Sequence, residues 1–119
     1  MLFLLMNLSI FNKSFIDKRK MNKFGDLIRS KREEKEMLLR HLSAELDIDT
    51  AMLSKIERGE KIAKREHIEP LAKLFKIDYD ELFSRWLADQ VFQLVENEGQ
   101  ALKALKIVQK ELKTLKKNF

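Results

Sequence analysis

The chain of 119 residues has no cysteine, one proline (Pro70), three glycines, one tryptophan and one tyrosine. Each scarcity removes a class of protein. Without thiols there is no disulfide framework and no thiolate metal site, which fits a reducing cytoplasm. So little turn chemistry argues against a sheet protein and for an all-helical one. His41 and His67 stand alone, far from any metal-ligand spacing, so neither a metal nor another cofactor is expected. The chain also lacks a Gly-rich phosphate loop, and no Ser, His and Asp fall at spacings that suggest a hydrolytic set, so an enzyme is not expected. Exposed aromatics on a sheet or loop, the mark of a general RNA binder, are not evident.

The apolar run from Leu2 to Leu5 and on to Phe11 is the strongest hydrophobic stretch, yet it is too short to span a bilayer, which needs about 20 apolar residues. It lacks the charged start and small-residue cleavage site of a signal peptide. Residues 1–20 are read as an extension, with Met21 as the expected natural start. Two rival readings stay open. Phe3, Leu4 and Phe11 could pack as a helix against a neighbour or a second subunit, or Lys18, Arg19 and Lys20 could form an arm that touches DNA.

What remains is one domain's worth of sequence with a formal charge of +5. The distribution of that charge says more than its total. Lys55, Arg58, Lys61, Lys64 and Arg65 crowd one segment, while Asp78, Asp80, Glu81, Asp89, Glu96 and Glu98 gather further on. The pattern predicts a basic side suited to phosphates and an acidic far side.

The basic segment follows two short apolar-periodic stretches. Leu38, Leu42 and Leu46 recur every fourth position and should stack on one helix face. Asp47, Ile48 and Asp49 break the pattern. Asp49 is a good N-cap for a second helix from Thr50, since its carboxylate accepts orphan N–H groups at the positive end of the dipole. That helix would bury Leu53 and Ile56, turn Thr50, Ala51, Met52, Ser54, Lys55 and Arg58 elsewhere, and stop at Gly59. Two short helices joined by a three-residue turn, with cations on the second, suit a unit that lays one helix in a DNA major groove.

These residues carry a family resemblance. Asp47-Ile48-Asp49, the run from Leu53 to Gly59 (LSKIERG) and Leu71-Ala72-Lys73-Leu74-Phe75 closely resemble the phage-repressor or Xre-type helix-turn-helix domains. The likeness runs from about Phe24-Gly25 to Leu82-Phe83, and the small controller proteins of restriction-modification systems look similar in size and layout. It implies an all-α, lambda-repressor-like bundle of five helices that binds operator double-stranded DNA, usually as a dimer, and regulates transcription. The chain also departs from the pattern. Leu38 and Leu39 stand where a Ser or Thr cap and a phosphate-gripping Gln are frequent, so that contact is lost or moves to Arg40. Glu36 stands where the first helix often ends in Gly, predicting a helix that runs on or ends raggedly. Pro70 falls inside the fourth helix, predicting a kink or an irregular first turn.

Phe24, Ile28, Leu42, Leu46, Ile48, Leu53, Ile56, Ile68, Leu71, Phe75, Ile77, Leu82 and Phe83 are the expected core, with Met37 and Met52 filling gaps or touching DNA. Glu57 is a natural partner for Arg29 or Arg32, and the resemblance implies that such a pair locks the first helix to the reading helix. On the reading helix, Thr50 and Ala51 suit a thymine methyl and Lys55 a guanine, while Arg58 and Lys61 suit phosphates and Ser54 either.

Beyond the motif, Asp78 or Asp80 should start a long helix. Its apolar residues Leu82, Phe83, Trp86, Leu87, Val91, Phe92, Leu94 and Val95 spread so widely that more than one face must be covered. Gly99 is expected to end or bend it. Ala101, Leu105, Val108, Leu112, Leu115 and Phe119 then form a seam for another helix, with Lys103, Lys106, Lys110, Lys113 and Lys117 opposite. The seam either folds back on its own domain or pairs with a twin chain, and dimerisation through Leu105, Val108, Leu112 and Leu115 is the favoured expectation. The domain plan is therefore an extension at 1–20, a DNA-binding unit at 21–83 and a dimerising helical extension at 84–119. The second function class is an antitoxin-like interaction module, whose C-terminal helices bind a protein partner while the motif binds its own promoter.

Overall fold

The computed structural model describes residues 21–117. Among them, helices follow in the order α1 (Lys23–Glu34), α2 (Leu39–Leu46), α3 (Thr50–Glu57), a 3-10 turn (Arg65–His67), α4 (Ile68–Phe75), α5 (Tyr79–Val95) and α6 (Ala101–Lys117), with no strand. The fold is all-α: α1 to α5 form a bundle and α6 extends it. The expectations placed on Leu2 to Phe11, on Lys18 to Lys20, on Phe119 and on the side chain of Lys117 fall outside the described residues.

The core lies where α1 crosses α3 and α5 and where α4 backs onto α5. Ile28, Leu42, Leu53, Ile68, Leu71 and Leu82 are its fully buried large side chains. Phe24, Leu46, Ile56 and Phe75 join them, together with Ala63 and Ala72, which periodicity did not single out. Ile48, Ile77 and Phe83 are only partly buried against this core, because they sit in the turns or on the outer flank of α5. Leu38 is a correction. It caps α2 from outside, 49% exposed, rather than stacking with Leu42 and Leu46.

Four helices end in the same closed turn. After α1, Glu36 takes φ +55°, with its N–H donating to the Glu33 carbonyl at 2.9 Å and the Met37 N–H to the Arg32 carbonyl at 3.0 Å. These two crossed bonds satisfy the last carbonyls of the helix. The expected ragged end is therefore absent: Glu36 occupies the left-handed position without being glycine. Asp47 (φ +55°), Gly59 (φ +78°) and Lys76 (φ +54°) do the same for α2, α3 and α4.

Pro70 is the third residue of α4, directly after the 3-10 turn. In the first helical turn the missing N–H is one that would lack a partner within the helix anyway, so the irregular start replaces a kink. Gly99 does not end α5. The helix stops at Val95, and Gly99 sits in the following turn with open space around its Cα.

Candidate nucleic-acid interface

The second helix of the pair, α3, is set in place by polar contacts on its inner side. Asp49 caps its start: the Met52 N–H donates to the Asp49 carboxylate at 2.6 Å. Leu53, Ile56 and Glu57 face inward. Glu57 receives a two-pronged bond from Arg32, Nε to Oε2 at 2.7 Å and Nη2 to Oε1 at 3.0 Å. The same guanidinium donates through Nη1 to the Met37 carbonyl at 2.7 Å. Both side chains are nearly out of solvent, at 11% and 4% exposure, so each depends on the other for its compensation. The Glu57 carboxylate raises the Arg32 pKa above its ordinary value and keeps it charged. Of the two candidate partners, Arg32 is therefore the one used, while Arg29 faces out and pairs with Glu33 at 3.6 Å.

The C-terminal end of α3 is tied down by Asn22. Its amide accepts from the Gly25 N–H at 3.2 Å and donates to the Glu57 carbonyl at 2.8 Å. A Cβ on Gly25 would lie 2.4 Å from the Ile56 carbonyl oxygen, so only glycine lets α1 pass this close.

The acidic cluster expected on the far side needs a second correction. Asp89 is 8% exposed and points inward from α5. Its two oxygens accept the N–H groups of Lys23 at 2.8 Å and Phe24 at 2.9 Å. The carboxylate thus closes the positive end of α1 from 65 residues away. Sequence spacing carries no signal for such a cap. Nor did it mark His41, whose Nδ1 accepts the Leu38 N–H at 3.3 Å where an ordinary capping side chain is missing.

With its inner side committed, α3 turns the predicted residues outward. Thr50, Ala51, Met52, Lys55 and Arg58 are exposed, and Ser54 is half-buried. Ala51, Lys55 and Arg58 follow one another about a turn apart and share the outermost face. Thr50 lies at the edge of that face, its hydroxyl 3.3 Å from that of Ser43 in a contact that bridges α2 and α3. Arg58 folds back along the helix to Ser54 Oγ and to the Glu60 carboxylate. The Glu60 contact raises the Arg58 pKa, so the guanidinium stays charged. Lys61, Lys64 and Arg65 are exposed on the segment that follows, and Arg40 is exposed in the first turn of α2. Arg65 also lies 4.7 Å over the Phe83 ring. Among the described residues no group of His, Asp or Glu is arranged to hold a metal ion.

A helix, a three-residue turn and a second helix with an outward cationic face define a DNA-binding helix-turn-helix domain. Comparison with protein-family models matches the helix-turn-helix model over residues 28–82. This segment is an Xre-type, lambda-repressor-like helix-turn-helix, a kind of domain that binds double-stranded DNA in transcription regulators. Comparison with curated proteins and with solved structures gives no match. The family match stops at Leu82, so most of α5 and all of α6 lie beyond it.

Proposed function

We propose that this protein regulates transcription in the cytoplasm by occupying a short, two-fold symmetric operator as a homodimer. The observation that carries the reading is the division of α3. Its inner side is spent on Leu53, Ile56 and the Arg32–Glu57 pair, and its outermost face, Ala51, Lys55 and Arg58, offers a small residue and two cations. Thr50, Ala51 and Lys55 read base edges, Lys55 by donating to guanine O6 and N7. Met52 and Ser54 line the flanks of the reading face. Arg58, Lys61, Lys64 and Arg40 hold phosphates and fix the register of the domain on the duplex. Residues 21–83 are the DNA-binding unit and residues 84–119 the dimerising arm, with Leu105, Val108, Leu112 and Leu115 in the contact. The arm is suited to this use because Val108, Leu112 and Leu115 are each at least half exposed in the single chain. Among the described residues no helix is long and apolar enough to cross a membrane. We assign the protein no catalytic role.

Substitutions on the reading face separate the roles. Lys55→Ala is expected to cost about 1 to 3 kcal/mol on the preferred sequence and to relax choice at one base position. Arg58→Ala is expected to weaken operator and random DNA alike and to lower the salt slope by about one. Binding titrations at several salt concentrations measure both, and equal losses on operator and random DNA for the two variants contradict the assignment.

A further inference from the structure

Among the described residues, two apolar surfaces are left uncovered. On α5, Leu87, Ala88, Val91, Phe92 and Val95 face away from the bundle and line an open apolar groove, closed at one edge by Met21. Leu87 is 48% exposed, and Val91 and Phe92 are more than a third exposed. From α6 only Leu105 reaches into this groove. Val108, Leu112 and Leu115 continue the same side of α6 at three- and four-residue spacing and stay exposed.

We propose that the α5 groove of each chain receives α6 of a second copy, so that Val108, Leu112 and Leu115 of one copy lie on Leu87, Val91 and Phe92 of the other, reciprocally. The proposal rests on the homodimer reading and names its surface. Charge favours a basic occupant. The sequence of α6 carries Lys103, Lys106, Lys110, Lys113, Lys116 and Lys117 against Glu111 alone, so the helix as a whole is strongly positive. The groove instead is framed by exposed acids, Asp80 near one end and Glu96 and Glu98 at the other. Area points the same way. A stable interface takes about 800 Å² from each partner, and reciprocal docking uses the α5 face and the α6 seam of both copies rather than one seam alone. The connection does not obstruct it: Gly99 lies in the turn between the two helices, and a Cβ there would meet nothing within 4 Å.

The absence of cysteine makes a clean test possible in the full chain. Val91→Cys and Leu112→Cys are purified separately, mixed, left to exchange and oxidised. Both sites are exposed, so the bundle is left intact, which circular dichroism checks. Reciprocal docking predicts a mixed disulfide in about tenfold excess over either self-pair, because the bond forms only between sulfurs held at the right separation. Leu87→Cys mixed with Leu112→Cys covers a shift of one turn in register. Predominant Leu112→Cys self-pairs, or a dimer in light scattering with no mixed disulfide from either combination, overturns the groove docking and leaves the homodimer standing. A chain that stays monomeric and forms no interchain bond overturns both, whatever DNA it binds.

Discussion

Between Asn22 and Ile77 the helices are short, 12 residues at most, and each is tied to the others by something its own chain supplies. Beyond Leu82 the helices run to 17 residues, and much of their apolar surface faces water. The contrast separates two ways of stabilising a helix. In the first region crossed terminal bonds, a buried ion pair and a carboxylate cap leave almost nothing undone within the single chain. In the second, α6 is near the length at which an isolated helix is marginal in water, so its order depends on covering Val108, Leu112 and Leu115. The helix-turn-helix half is therefore complete within one chain, whereas the α6 seam is left exposed among the described residues. Among the described residues, α5 is covered on the side of Leu82, Trp86 and Asp89, short of the expected cover on more than one face.

The largest break of this comparison is expected at the ion pair. Glu57→Ala leaves the Arg32 guanidinium nearly buried without its carboxylate and is expected to lose about 3 to 5 kcal/mol in urea unfolding, enough to unfold a marginal domain. The two regions are compared more directly by one chemical change made in each. Leu53→Ala removes a side chain 1% exposed and is expected to cost about 2 to 5 kcal/mol. Leu115→Ala, made where the side chain is 52% exposed, is expected to change the unfolding of the dilute chain by less than about 0.5 kcal/mol. Similar losses at both sites mean that α6 is covered by its own chain. One effect has the opposite sign. Lys76→Gly relieves a left-handed backbone position at φ +54° and is expected to stabilise by about 1 kcal/mol, read as a rise in the urea midpoint.

Much of the first region was legible in sequence because its signals are local. Leu42 and Leu46 one turn apart, Asp49 ahead of Thr50 and Gly59 after Glu57 each act through neighbouring backbone. Periodicity therefore placed α2, the turn and α3, and turned the right residues of α3 outward. The partner of Glu57 was narrowed to two arginines but not to Arg32, since that choice depends on the rotation of α1 about its axis. The left-handed turns at Glu36, Asp47 and Lys76 were hidden because residue type marks such positions only when glycine or asparagine fills them. Asp89 was misread as surface charge for another reason: its partners are backbone N–H groups that no side-chain pattern reveals. The bare face of α5 looked like core for the same reason that core looks like core, being simply apolar.

The account stands or falls on whether the outer face of α3 chooses among sequences, and selection of bound duplexes from a random pool, using the full chain at physiological salt, asks this most directly. The account predicts an inverted repeat whose half-sites are centred about 10 base pairs apart, with binding to it lost when Ala51 and Lys55 are replaced together. Recovery of duplexes with no shared motif, or of a motif bound equally well after that double replacement, contradicts it.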